Sequence, residues 1–242
     1  MGTILLRLAG PLQSWGADSR FVERTTRHEP TKSGVIGLVA SALGRRRTEP
    51  VDDLAALPFG VRIDQPGSFV RDFQTAHKRV WNQDHESWGQ GESMPLSNRM
   101  YLSDAIFVAG LEADDEMVGV IADALVHPVF PLFLGRRSCP PSGKILLAEL
   151  PGICLMTALE EAPWQASAWY RRRKPTQVEL PVVLDDAPEG SAILVDEMVR
   201  DIPLSFSQVR REYEWRSSVQ TKVCVTNPDG RPQTVHNPFD VL

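Results

Sequence analysis

Three cysteines in 242 residues, Cys139, Cys154 and Cys224, are too few and too scattered for a disulfide framework. Their number is odd and no CxxC pair occurs, which removes the usual zinc-site spacing. Scattered thiols fit a reducing cytoplasm. No apolar run approaches the roughly 18 residues of a membrane helix. Residues 1–9 lack a basic leader and a long apolar stretch, so they predict a first strand rather than a secretory signal. There is no phosphate-cradling P-loop, no Ser-His-Asp order and no cluster of metal ligands, so neither metal nor cofactor is expected. A basic excess is also missing. The 26 Lys and Arg face 31 Asp and Glu, a net charge of -5 that argues against a generic nucleic-acid binder. The remaining composition, 42% apolar and 24% charged, is that of a soluble globular protein with ample residues for a core.

The charge is unevenly spread. The first fifty residues hold Arg7, Arg20, Arg24, Arg27, Lys32, Arg45, Arg46 and Arg47 against four acids, while Glu112, Asp114, Asp115 and Glu116 cluster in the middle. A basic face on an acidic chain still binds phosphates, and the acidic remainder suits basic protein partners.

The apolar pattern predicts a strand over 3–9, ended by Gly10-Pro11, then a long loop over 11–31. Ser33 is the expected N-cap of a helix whose apolar positions Val35, Ile36, Leu38, Val39, Ala42 and Leu43 recur at helical spacing, with Gly44 as its stop. Strands are expected over 57–63 and 68–73, joined by a Gln65-Pro66-Gly67 turn, and one long strand over 100–111. A helix over 114–127 carries acids in its first turn. Residues 76–98 are polar and without apolar period, yet contain Trp81 and Trp88, which argues for a functional insertion. Further strands are expected over 175–184, 198–206 and 215–225, with an irregular tail over 226–242. The order strand, helix, two strands, insertion, strand, helix, strand fits a β-α-β-β-α-β plan. The expected class is therefore α+β: a ferredoxin-like or RNA-recognition-motif-like domain over 1–150, and a β-rich part over 151–242.

The run Leu134-Gly135-Arg136-Arg137-Ser138-Cys139-Pro140-Pro141 follows an apolar segment, 129–133, that reads as a strand. Gly135 permits a left-handed turn and close approach of a ligand. Arg136 and Arg137 supply two guanidinium forks suited to phosphate, and the prolines end any regular element. The bland alternative is a solvated loop tip.

Five blocks together resemble one family. They are Leu6 to Gly16, Pro30 to Leu38, Arg71-Asp72-Phe73-Gln74-Thr75, Tyr101-Leu102-Ser103-Asp104-Ala105, and Leu134 to Pro140. Their order resembles the CasD-type subunits of the type I-E CRISPR surveillance complex, Cascade, although Gln74 stands where that family has a histidine. The resemblance implies membership of the repeat-associated RNA-binding superfamily, with RNA-recognition-motif-like domains. It implies a grip on the 5′ handle of the CRISPR RNA and a cap on one end of the backbone filament. Residues 76–98 would then be the family's thumb. The implied partners are the CRISPR RNA, the backbone subunit, the large subunit that reads the protospacer-adjacent motif, and target DNA indirectly. No membrane partner is implied.

Single-stranded RNA offers unstacked bases and an exposed backbone. Gly135, Arg136, Arg137 and Ser138 are the first expected RNA contacts, with Arg27 added from the basic N-terminal stretch. Lys32 and Ser33 open a helix whose amides favour an anion. Gln13 and Trp15 follow the first strand, where the ring either covers RNA or packs on the core. His77, Lys78, Arg79, Trp81 and Trp88 are the thumb residues expected against a partner. Arg45-Arg46-Arg47 complement a helix C-terminus. The basic-aromatic run over 166–174 either lines a groove or is a solvated face. Two alternatives stay open. One is a metal-independent endoribonuclease using His28, His77 or His85 with Lys78 or Lys32, His77-Lys78 being the most suggestive pair. The other is a protein–protein adaptor without RNA contact.

Overall fold

A computed structural model describes residues 1–16, 23–186, 193 and 195–230. Arg20 and the last part of the expected tail lie outside these. Among the described residues, thirteen strands form one large sheet and two small ones, with five helices packed between and around them in chain order.

Strand β1 (Gly2–Ala9) is buried almost throughout, because both faces of its sheet are covered. Ile4, Leu6 and Leu8 enter one core, while Leu5 enters another on the opposite face. This is the period-2 alternation of a strand with two apolar sides. Short β2 (Leu12–Gln13) and β3 (Glu23–Arg24) interrupt the expected loop over 11–31.

Helix α1 (Lys32–Ala42) starts one residue before the expected cap. Thr31 is the N-cap, its hydroxyl accepting from the Gly34 amide at 3.2 Å. Gly44 takes φ +78° just past the end, the left-handed stop the sequence predicts. A one-turn helix α2 (Asp52–Ala55) leads into β4 (Phe59–Gln65). Beyond the Pro66-Gly67 turn lies β5 (Ser68–Gln74), which does not pair with β4. The chain leaves the large sheet there.

The expected insertion over 76–98 is structured, and its last two residues open the next strand. Ahead of them it forms the hairpin β6 (His77–Asn82) and β7 (Ser87–Ser93). Both of its faces are exposed, so no apolar period marks it in the sequence. The expected single strand over 100–111 is two, β8 (Ser97–Ser103) and β9 (Ile106–Ala113). Asp104 at φ +55° breaks them and sends each to a different sheet.

Helix α3 (Asp115–Val126) is capped by Asp114, which accepts from the Met117 amide at 2.7 Å. The expected strand over 129–133 is absent. Pro128 and Pro131 deny it ladder donors, and the Val129 and Phe130 amides instead donate to carbonyls at the end of α1. The chain continues through β10 (Leu146–Pro151), α4 (Leu155–Glu161) and the short α5 (Ala168–Arg171). It then adds β11 (Gln177–Leu184), β12 (Val195–Ser205) and β13 (Glu212–Thr226).

The large sheet has the order β10-β1-β9-β4-β11-β13-β12, each neighbouring pair antiparallel. It runs unbroken across the expected division at 150/151, because β11 pairs directly with β4. A second sheet is β2-β8-β3 with β5 on β8. Helices α1 and α3 cover one face of the large sheet. On the other, α4 and Trp164 pack over Leu5, Val108, Val182 and Val223.

Candidate nucleic-acid interface

The turn after Leu134 is clamped to the chain's own backbone. Gly135 has φ +81°, and a Cβ there would lie 1.8 Å from the Ser14 carbonyl oxygen. The Ser14 amide donates to Leu134 O at 3.1 Å, and Leu134 N to Cys139 O at 2.8 Å. The close approach that requires glycine is therefore made by Ser14, not left open for a ligand. Arg136 is a latch: its guanidinium donates to the carbonyls of Met100, Arg24 and Thr25 at 3.3, 3.0 and 3.3 Å and lies 4.9 Å from the Tyr101 ring centre. Burial acts to raise the Tyr101 phenol, but bonds to Ser138 and Arg136 outweigh it and hold the group below its ordinary value. Arg137 and Ser138 are exposed, the Ser138 hydroxyl lying 3.5 Å from that of Tyr101.

Four other expected contacts point inward. Gln13 is fully buried, its amide bonded to Leu8 O at 3.2 Å and Ala105 O at 2.7 Å. Trp15 is fully buried too, donating to Gln13 Oε1 at 3.0 Å. Neither side chain reaches a surface, so the expected ring over RNA is replaced by a core pair that fixes the turn. The Lys32 ammonium binds Asp185 at 2.8 Å and its amide donates to Asp201 at 2.7 Å. A carboxylate already occupies the helix N-terminus, and Ser33 is buried beside it. Arg216 completes the network, 2.6 Å from Asp201 and 2.9 Å from Asp185. Arg27 is paired with Glu29 at 2.7 Å and also with Glu197.

What the turn does border is a cleft of about 220 Å³. Ser33, Gly37 and Ser41 of α1 form its floor, with Gly135 on one side and Arg47, Arg211 and Tyr213 on the other. Burial, then the like charges of Arg211 and Arg137, hold the Arg47 guanidinium below its ordinary value. At neutral pH it remains a cation. Among the described residues no carboxylate pairs with Arg47, Arg137 or Arg211. Neighbouring Arg45, by contrast, is held by Asp53. Arg47 and Arg211 thus line the cleft beside the hydroxyls of α1, and Arg137 lies near enough for its charge to act on Arg47. Arg211 carries no local sequence pattern. It reaches the cleft only because β12 and β13 join the sheet beside α1.

On the hairpin, Trp81 and Trp88 are paired edge to face at 5.4 Å and half exposed, with Arg79 5.5 Å from the Trp88 ring centre. Lys78 is paired with Glu92 at 2.6 Å. His77 lies at the base of the hairpin and His85 in its turn, about 16 Å apart at the usual strand rise. His28 sits elsewhere, edge-on to Phe69 at 4.6 Å. Among the described residues no group of His, Cys, Asp and Glu has the arrangement of a metal site, and no helix is long and apolar enough to cross a membrane.

Residues 3–219 match the model of a family described as CRISPR-associated protein (Cas_Cas5). The chain belongs to this family. The match carries the resemblance well beyond the five motif blocks and into β13. The Cascade subunit CasD of the CRISPR system of Escherichia coli (strain K12) is 32% identical over 159 residues, 60% of this chain and 69% of that protein. Among solved structures, a chain of a CRISPR RNA-guided surveillance complex superposes with a TM-score of 0.75 at 29% identity, covering 96% of this chain and 95% of that one. A second, described as a Cas protein, gives 0.65 at 36% identity over 96% and 98%. Like those family members, this chain is a mixed α/β protein dominated by strands.

Proposed function

We propose that this chain is a non-catalytic, RNA-binding subunit of a Cascade-type complex in the cytoplasm, holding the 5′ handle of the CRISPR RNA and capping the backbone filament. The observation that carries the reading is that Arg47 and Arg211 line the cleft with Arg137 close enough to act on Arg47, all three without a carboxylate partner among the described residues. A single-stranded handle brings closely spaced phosphates, and three guanidinium forks neutralise them without reading sequence. The similarity to a Cascade subunit and to a chain of a surveillance complex supports the assembly role. The order β10-β1-β9-β4, with α1 after β1 and α3 after β9, supports a ferredoxin-like core.

In this reading the Trp81–Trp88 hairpin is the thumb. Its paired rings present an apolar ridge to the neighbouring backbone subunit, with the large subunit and target DNA reached through the assembly. The absence of chemistry has a geometric argument. RNA cleavage without metal needs a base and an acid around one phosphodiester; His77 and His85 lie at opposite ends of the hairpin, His28 packs on Phe69 off it, and Lys78 beside His77 is paired with Glu92.

The test is a mobility shift with repeat-derived RNA and the backbone subunit, run beside a denaturing gel without metal. The expected result is intact RNA and a shift weakened by Arg137→Ala with Arg211→Ala. Specific cleavage abolished by His77→Ala would make the chain a processing nuclease instead. A shift indifferent to the arginines would make it an adaptor.

A further inference from the structure

A second basic surface lies around α5, away from the arginine cleft. Helix α1, which floors the cleft, belongs to one core; Tyr170 of α5 packs with Trp164 and α4 on the other. Arg171, the last residue of α5, opens the run Arg171-Arg172-Arg173-Lys174. Arg171 is committed to Asp229 at 2.8 Å. Arg172, Arg173 and Lys174 have no carboxylate partner among the described residues. Two of these cations are nonetheless held in place. Arg173 lies 5.4 Å from the ring centre of half-exposed Trp169, and Lys174 lies 5.0 Å from that of Tyr170.

Beside them is a groove of about 410 Å³ bordered by His28, Tyr170, Lys174 and Gln220. Its carboxylates are paired: Glu29 with Arg27, which Glu197 shares, Asp64 with Arg62 and Glu179 with Lys222. Lys174 lines the groove itself. Burial pushes Asp64 up, although its bidentate bonds to Arg62 oppose this.

We infer that Trp169, Arg172, Arg173 and Lys174, with the adjoining groove, form a second binding surface for single-stranded nucleic acid. The cations take successive phosphates, Trp169 offers a ring for stacking, and the groove receives a base between Tyr170 and the hydrogen-bonding edges of His28 and Gln220. Cations alternating with aromatic rings along a groove match a flexible strand, whose bases are free to turn toward the protein. A regular duplex keeps its bases paired, and an acidic peptide has no use for the ring. The groove and the cleft share no lining residue, so the two hold different segments.

The test uses the full chain and a fluorescein-labelled oligouridine strand, followed by anisotropy. The Arg47→Ala, Arg137→Ala, Arg211→Ala variant silences the first cleft. It is expected to retain binding, and its own salt dependence measures the cleft separately from the second surface. Adding Arg172→Ala, Arg173→Ala and Lys174→Ala is expected to lower the remaining slope of log K against log salt by about 2, at roughly 0.7 per lost contact. Trp169→Ala is expected to weaken binding about tenfold and Trp169→Phe to restore most of it. Residual binding that is absent, or unmoved by the three alanines, would overturn the proposal. So would equal affinity for a duplex of the same length with no effect of Trp169→Ala.

Discussion

The Lys32 ammonium lies 2.8 Å from the Asp185 carboxylate, a residue 153 positions away, and only 5% of the lysine side chain is exposed. The pair belongs to a network with Arg216 and Asp201 that pins the start of α1 to β12 and β13. Burial pushes the Asp185 carboxyl up, against the pull of Lys32 and Arg216.

Lys32→Met leaves Asp185 with Arg216 and the Phe59 amide. Breaking a buried pair costs about 3–5 kcal/mol, and the remaining arginine keeps the loss near about 3. Urea unfolding is expected to show that loss while the salt dependence of RNA binding stays as in the parent. A normal midpoint with a reduced slope would mean that Lys32 leaves its partner to bind RNA.

Gly135→Ala places a methyl group against the Ser14 carbonyl and forces a side chain into the left-handed region. The expected loss exceeds about 2 kcal/mol in thermal or urea unfolding. Arg136→Ala releases the carbonyls of Arg24, Thr25 and Met100 and also destabilises. Arg137→Ala, at an exposed position, leaves the midpoint within about 0.5 kcal/mol. Equal midpoints for the Arg136 and Arg137 variants would contradict the latch.

Hydrogen bonding by Arg45 holds the Asp53 carboxyl below its ordinary 3.8. A depressed carboxylate stabilises the fold above the unfolded value, and that contribution fades as pH falls through the depressed one. The pair is partly exposed, so its share is at most about 0.5 kcal/mol. Asp53→Asn is expected to lower the urea midpoint slightly at neutral pH and to match the parent once the parent's carboxyl is protonated. A difference that persists in strong acid would assign the effect to packing.

Trp81→Ala with Trp88→Ala removes an exposed edge-to-face pair worth about 0.5–1.5 kcal/mol. The isolated chain is expected to remain folded, with co-elution with the backbone subunit falling sharply. Unchanged co-elution would remove the hairpin from the interface.

Elements with a one-sided or fully buried pattern were legible in the sequence. The apolar positions of α1 and α3, and the continuous run of β1, leave few alternatives. The hairpin was not legible, since water on both faces imposes no alternation on His77 to Ser93. The break at Asp104 was hidden inside an uninterrupted β-like run. At the site, the 134–140 turn was visible but the division of labour within it was not. Nothing local to Arg136 says that its partners are the carbonyls of Arg24 and Thr25. Lys32 reads as a helix-start cation until Asp185 is brought beside it. Arg47 reads as a cation for the end of α1, and Arg211 as one charge among many. Only the pairing of β12 and β13 beside α1 makes them neighbours.

The salt dependence of RNA binding tests the central claim most directly. Affinity for a repeat-derived single strand is measured across a salt series for the parent and for Arg47→Ala, Arg137→Ala, Arg211→Ala. The cleft predicts a slope of log K against log salt shallower by about 2 in the triple variant, with an unchanged unfolding midpoint. Parallel lines for the two proteins would contradict the placement of RNA phosphates at these three guanidiniums.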